Sequence, residues 1–164
     1  MKKSDELIEL LEEATEAAFR ALLAVKEEKF YYFGLLMDEG MRPFISAWSY
    51  EALHSAVEEL IASGDDTDRE VLTKELKWSG CDSPYCAYEH DEYFESIDSL
   101  LENREQYLIS DEKFEKEFEL RLKYMEEVMR RLDAKGVFES SLDSKTTVTQ
   151  VNKVINALRG EKKD

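Results

Sequence analysis

Residues 29–48 read KFYYFGLLMDEGMRPFISAW, the one stretch of the chain in which aromatic and aliphatic residues dominate. Such residues favour β-strands, whereas the interrupting Asp-Glu-Gly at 38–40 is typical of a turn, with Gly40 able to adopt a positive φ. The pattern predicts a hairpin of two strands, 30–37 and 42–48. Because both faces of the first strand are apolar, we expect this hairpin to lie at the centre of the fold.

Amphipathic helices are predicted on both sides of the hairpin. Apolar residues at three- and four-residue spacing predict helices over 5–25, 50–62, 91–103, 110–135 and 147–158, with Ser49 and Ser110 as N-caps. The capping-box spacing of Thr67 and Glu70 predicts a short helical turn near Val71. Short strands are expected at 76–78 and 137–142, and the last few residues should fray.

Together these elements predict an α+β fold in a single globular domain over residues 1–164. We expect a small antiparallel sheet built on the central hairpin and packed by an N-terminal helix and several C-terminal helices. A chain of 164 residues, of which 43% are hydrophobic, is long enough to bury such a core.

The charge of the chain is strongly one-sided. It has 22 Lys and Arg against 38 Asp and Glu, which gives a net charge of −16. Such a surface repels nucleic acids and anionic membranes, and it speeds encounter with a basic protein partner. No apolar run approaches the roughly 18 residues of a membrane span, and the basic start lacks the apolar segment of a signal peptide. We therefore expect a cytoplasmic protein with reduced thiols.

Metal and catalytic motifs are few. Cys81, Cys86 and His90 have C-x4-C-x3-H spacing, which would bring zinc ligands together, but the second ligand pair of a usual structural zinc site is missing. Two ordinary thiols and a loop histidine are the other interpretation. Glu51 and His54 form one E-x-x-H, where di-iron bundles need two. No nucleophile elbow, dinucleotide fingerprint or phosphate loop is present. We expect no metal and no cofactor.

Aromatic and acidic residues alternate in the irregular segment between 78 and 91, and an acidic loop lies at 65–68. This mixture is typical of a surface that binds a basic protein. The other interpretation is that the aromatic residues pack into the core, with Trp78 the one most expected to be buried. The predicted partner-binding residues are Trp78, Asp82, Tyr85, Tyr88, Glu89, His90, Asp91, Asp65, Asp66 and Asp68.

Three short motifs follow one another along the chain: F-Y-Y-F-x-L at 30–35, K-W-S at 77–79 and P-Y at 84–85. This order resembles an uncharacterised bacterial family, the domain of unknown function 4303, over about 7–132. The usual family pattern is W-S-x-x-D-W-P-Y, whereas this chain reads W-S-G-C-D-S-P-Y, with Ser83 in place of an aromatic residue. The resemblance implies no activity, but it suggests a toxin–immunity context.

We therefore expect a non-enzymatic cytoplasmic binding protein, an immunity protein that occludes the active site of a basic toxin. One alternative is an enzyme, or a protein that binds a metal or small molecule, with a site near His54, Cys81, Cys86 and His90. Another is a homodimerising module that uses the apolar stripe over 114–132.

Overall fold

The computed structural model describes residues 2–139, and their side chains from residue 6 onward. It confirms the α+β class, the hairpin and the flanking helices. The elements are α1 Lys2–Val25, β1 Phe30–Met37, β2 Pro43–Ser49, α2 Tyr50–Ala62, α3 Arg69–Leu76, a 3₁₀ turn Gly80–Asp82, α4 His90–Glu105 and α5 Asp111–Ala134. The predicted helix at 147–158 lies outside the described residues.

The sheet of the described residues consists of β1 and β2 alone, paired antiparallel with Leu35 opposite Ile45. The expected strand at 76–78 is wrong, because α3 continues to Leu76 and Lys77 and Trp78 form a turn. Residues 135–139 also form turns, so the strand expected at 137–142 is absent from its described part.

The structure corrects two local predictions, the residue with positive φ in the hairpin turn and the N-cap of α3. In the hairpin turn Met41, with a φ of 58°, takes the left-handed conformation expected of Gly40. The Met41 side chain is buried and its carbonyl accepts a 2.7 Å hydrogen bond from Arg121 Nη1, which together hold that residue in place. The cap of α3 is Asp68 rather than Thr67, since its carboxylate accepts from Glu70 N at 2.9 Å.

The core forms around the hairpin, as the apolar faces of β1 predict. The largest fully buried side chains include Trp48, Tyr31 and Phe33. The Phe33 ring stacks on Phe138 at 4.6 Å and meets Phe19 of α1 edge-on at 5.5 Å. Helix α1 also packs against α4 and α5. The hairpin is therefore the structural centre on which the surface segments are placed.

Helix α5 also carries a buried ionic network. The Arg121 side chain is 3% exposed and donates to Glu117 Oε1 at 3.0 Å. Arg104 of α4 donates to both oxygens of Glu117 at 2.8 and 2.9 Å. This network ties α4, α5 and the hairpin turn together. Within residues 2–139, no helix is both long and apolar enough to cross a membrane.

Candidate partner-binding site

The irregular segment 79–89 lies along the outer edge of β2 and is fixed to it. Ala87 N donates to the Ile45 carbonyl at 2.8 Å. Trp48 Nε1 donates to the Ser79 carbonyl at 2.8 Å, and Ser46 Oγ donates to the Gly80 carbonyl at 2.7 Å. The first bond satisfies a backbone carbonyl of β2 that a third strand would otherwise pair with, and the other two attach β2 side chains to the segment. The segment is therefore irregular in shape but firmly positioned.

The close approach of this segment depends on Gly80. A Cβ at that position would lie 2.4 Å from the Tyr32 hydroxyl oxygen and 2.7 Å from Leu36 Cδ1. Both distances are shorter than van der Waals contact, so any larger residue would push the segment away from β1. Gly80 does not have a positive φ. Glycine is therefore required here because there is no room for a Cβ, and not because of the backbone conformation.

A cleft of about 420 Å³ opens between α2 and this segment. We call it the acidic cleft, since Glu28, Glu51, Glu59 and Asp82 supply its charged groups. The remaining lining residues are Ala52, Ser55, Ala56, Ser83, Pro84 and Tyr85. The positions 51, 55 and 59 recur every four residues, so they lie on one face of α2.

Three carboxylates of the acidic cleft accept hydrogen bonds from neutral donors, and one of them, Asp82, accepts from Ser79 Oγ. Tyr85 Oη is 2.8 Å from both oxygens of Glu28, and Ser49 Oγ donates to the same carboxylate at 2.5 Å. Glu51 Oε2 accepts from Lys29 N at 2.9 Å. Burial, and then the hydrogen bond to Glu28, raise the pKa of Tyr85, so its hydroxyl stays a donor. Glu28, Glu51 and Asp82 are thereby oriented by groups that carry no positive charge.

A family model for a domain of unknown function (DUF4303) matches residues 11–159 of this chain. The chain belongs to the DUF4303 family. The match confirms the resemblance inferred from the three motifs and extends beyond the part of the chain in which they occur. No curated protein and no solved structure matched.

Ser83, where the family resemblance predicts an aromatic residue, has a structural role in this DUF4303 protein. Its side chain is buried, with Oγ donating to the Ala47 carbonyl at 2.5 Å and accepting from Tyr85 N at 3.0 Å. The hydroxyl therefore fixes the wall of the acidic cleft to β2. An aromatic side chain could not make both of these bonds.

Trp78 lies on the surface of this DUF4303 protein, so the interpretation that Trp78 is the aromatic residue most expected to be buried is wrong. It is 44% exposed and meets the Tyr31 ring edge-on at 5.6 Å, while Tyr50 packs on the same ring at 4.7 Å. The Lys77 Nζ lies 5.5 Å from the centre of the Trp78 ring. Tyr85, in contrast, is buried beside the acidic cleft.

The other predicted partner-binding residues are spread over the surface. Glu89 and Asp91 are exposed at the start of α4, and Tyr88 contacts Tyr85 edge-on at 6.4 Å. In the acidic loop, hydrogen bonds from Thr67 lower the pKa of Asp65. Asp65 and Asp68 thus stabilise their own turn and helix cap, and Asp66 is exposed. Only Asp82 and Tyr85 of the predicted set line the acidic cleft.

The histidine and cysteine residues do not meet in one site. His90 Nε2 lies 2.7 Å from Asp98 Oδ2, and His54 is exposed on α2. Cys81 and Cys86 are both free, and burial, followed by the proximity of Cys81, raises the pKa of the Cys86 thiol. Among residues 2–139, no three His, Cys, Asp or Glu side chains are grouped to hold a metal ion. The enzyme alternative stays a prediction.

Glu28 and Glu59 were missed by the sequence analysis. Glu28 stands just before β1, and its position gives no hint that it will meet α2 and Tyr85 in space. Glu59 could have been found, because it shares a helix face with Glu51 at a spacing of two turns. In a chain with 38 acidic residues such a spacing is not specific without the structure.

Proposed function

We propose that this protein is a non-enzymatic cytoplasmic binding protein whose acidic cleft receives a cationic side chain of a basic protein partner. In this function it acts as an immunity protein, which covers the basic active site of a toxin. The proposal rests on the four carboxylates of one concave surface and on the net charge of −16.

The observation that carries the proposal is that no described cation pairs with the acids of the acidic cleft; the Lys26 ammonium lies over the Tyr85 ring, 5.8 Å from its centre. Among the described residues, no Lys or Arg forms an ion pair with any of the four cleft carboxylates, whereas Glu12, Glu16, Glu117 and Glu127 elsewhere are all paired. Neutral donors orient Glu28, Glu51 and Asp82 without supplying a positive charge. An arginine or lysine from outside would supply that charge with little reorganisation.

The surroundings of the acidic cleft suit a protein partner better than a small ion. Tyr50 precedes the cleft residue Glu51 in α2, and Tyr50 shares an aromatic cluster with Trp78. Half-exposed aromatic side chains are common anchors of protein interfaces, and a negative field speeds the approach of a positive partner. The aromatic cluster then supplies contact area while the cleft supplies charge.

The first test is capture of a partner from the native host with three immobilised full-length proteins. These are the wild type, the cleft variant Glu59→Gln/Asp82→Asn and the control variant Glu13→Gln/Glu95→Gln. Both variants change the net charge from −16 to −14, but only the first changes the cleft. We expect a basic protein that is held by the wild type and the control, with affinity reduced about tenfold or more in the cleft variant.

The affinity for this partner should fall as salt is added. Equal retention of the partner by the two variants, or binding that salt does not affect, would refute the role of the acidic cleft. Co-expression tests the immunity role separately. The partner alone should arrest growth, and the wild-type protein should restore it; a partner that binds but is harmless would exclude immunity while leaving the cleft as a binding site.

A further inference from the structure

A second surface is formed by residues between the end of α4 and the first turn of α5. Tyr107 is 73% exposed, Ile109 is 79% exposed and Phe114 is 45% exposed. We call this surface the α4–α5 corner. Tyr107 and Ile109 are the two most exposed large hydrophobic side chains of residues 6–139. Single exposed apolar residues are ordinary, but three of this size within eight positions are typical of an interaction site.

Two grooves are lined by residues of the α4–α5 corner, one by Tyr107 and the other by Phe114. One, of about 440 Å³, runs between the start of α1 and the end of α4, and its lining includes Leu7, Leu100 and Tyr107. The other, of about 370 Å³, lies on the first turns of α5 beside Phe114 and Phe118. Side chains of a bound element could therefore enter recesses rather than rest on a flat surface.

The rim of the α4–α5 corner is negative. Glu6 lines the first groove, and Glu115 and Glu119 line the second. Within the described part of the chain none of these three carboxylates is ion-paired. Arg104, the cation that the described residues supply to the first groove, is already bound through two nitrogens to Glu117. The corner thus combines an apolar floor with uncompensated negative charge.

We propose that the α4–α5 corner binds a basic amphipathic helix of a partner protein. The apolar face of such a helix would cover Tyr107, Ile109 and Phe114, and its Lys and Arg residues would meet Glu6, Glu115 and Glu119. This is the charge pattern that an amphipathic helix in a groove requires. The surface is separate from the acidic cleft and does not depend on the function proposed for it.

The negative charge of the α4–α5 corner favours a basic helix over two other occupants, a second copy of this chain and an anionic membrane. A second copy of the chain also carries −16, and the same acidic rim on both copies would repel. An anionic membrane is repelled for the same reason. The core-facing residues of α5, Leu122, Val128 and Leu132, are already buried, whereas Phe114 in its first turn is 45% exposed. Of these three occupants, a basic helix is the one that matches both the apolar side chains and the acidic rim of the α4–α5 corner.

The test uses the full chain and three labelled helical peptides of equal length. The first carries leucine on one face and lysine on the other, the second has the same composition in scrambled order, and the third replaces lysine with glutamate. Fluorescence anisotropy should show binding of the first peptide only. The triple variant Tyr107→Ser/Ile109→Ser/Phe114→Ser should weaken it about tenfold or more, since these side chains supply the apolar contact.

Val25→Ser is the matched control, because Val25 is 65% exposed at the end of α1, away from the α4–α5 corner. It should bind the first peptide like the wild type, and circular dichroism should show all variants folded. Equal binding of the scrambled peptide, equal affinity of the triple variant, or no binding at all would overturn the proposal. So would self-association by light scattering, or binding to phosphatidylglycerol vesicles, that the triple variant abolishes.

Discussion

Glu117 and the four carboxylates of the acidic cleft have opposite surroundings. Glu117 is 8% exposed and receives three hydrogen bonds from Arg104 and Arg121. Burial acts to raise its pKa, but these bonds outweigh burial and lower the pKa overall. Glu28, Glu51 and Asp82 accept hydrogen bonds from hydroxyl or amide donors, and none of the four cleft carboxylates forms an ion pair among the described residues. The difference separates acids that hold the fold from acids available to a ligand.

This difference has an energetic meaning. A buried carboxylate whose charge is matched loses stability when either partner is removed, because the other charge is left without compensation. A carboxylate that is oriented but unmatched repels its neighbours, and its removal relieves that repulsion. Substitutions that remove charge should therefore have opposite effects on the free energy of unfolding in the two regions.

Arg121→Met should have the largest effect. It removes the donor to Glu117 Oε1 and to the Met41 carbonyl, and both acceptors are buried. We expect a loss of about 3 kcal/mol in the free energy of unfolding, measured by urea denaturation at neutral pH. Arg130→Met is the control, since Arg130 pairs with Glu127 at the surface, and it should cost less than about 0.5 kcal/mol. Equal losses would contradict a structural role for the network.

Glu117→Gln should cost about 2 kcal/mol at neutral pH, because it removes charge-assisted hydrogen bonds from two arginines. The folded pKa of Glu117 lies below the ordinary value of 4.5, so its carboxylate stabilises the fold above that pH. This contribution is lost as the pH falls through the folded pKa.

The variant should therefore lose less stability than the wild type when the pH is lowered from 5 to about 3. Urea denaturation along a pH series measures this difference. The exposed Glu13→Gln serves as the control and should follow the wild-type profile. If the unfolding free energy of Glu117→Gln fell with pH as steeply as that of the wild type, the ion pairs of Glu117 would not contribute to stability.

Ser83→Ala tests whether the wall of the acidic cleft is fixed to β2. The change leaves the Ala47 carbonyl and the Tyr85 amide without their partner in a buried setting. We expect a loss of about 1.5 kcal/mol in unfolding free energy and faster amide exchange in residues 79–89. Ser99→Ala, on the exposed face of α4, should be nearly neutral. Unchanged exchange would show that the segment is held by its other contacts.

The hairpin and helices could be predicted because each follows from residues close together in sequence. The apolar run 30–37 and the Ser49 cap specify their elements by composition and spacing alone. The strand at 76–78 was predicted from the alternation of Leu76, Lys77 and Trp78. That prediction is wrong because Leu76 belongs to the final turn of α3. Local pattern cannot decide which of two competing elements gains more contacts.

The acidic cleft could be predicted only in part. Asp82 and Tyr85 were found because they lie in one aromatic and acidic segment. Glu28 is 57 positions from Tyr85, and their hydrogen bond exists only because segment 79–89 folds back along β2. Whether an acid is paired also depends on such distant contacts, as Arg131 and Glu12, 119 positions apart, show.

Glu59→Gln should have the smallest effect, and its sign matters most. Glu59 lines the acidic cleft and has no ion-pair partner among the described residues. Removing its charge should leave the free energy of unfolding within about 0.5 kcal/mol of the wild type, on the stabilising side at low ionic strength. Because salt screens repulsion between exposed charges, any gain should disappear at high salt. A loss as large as that of Glu117→Gln would instead place Glu59 among the acids that hold the fold, and the cleft would then lack free charge for a cation.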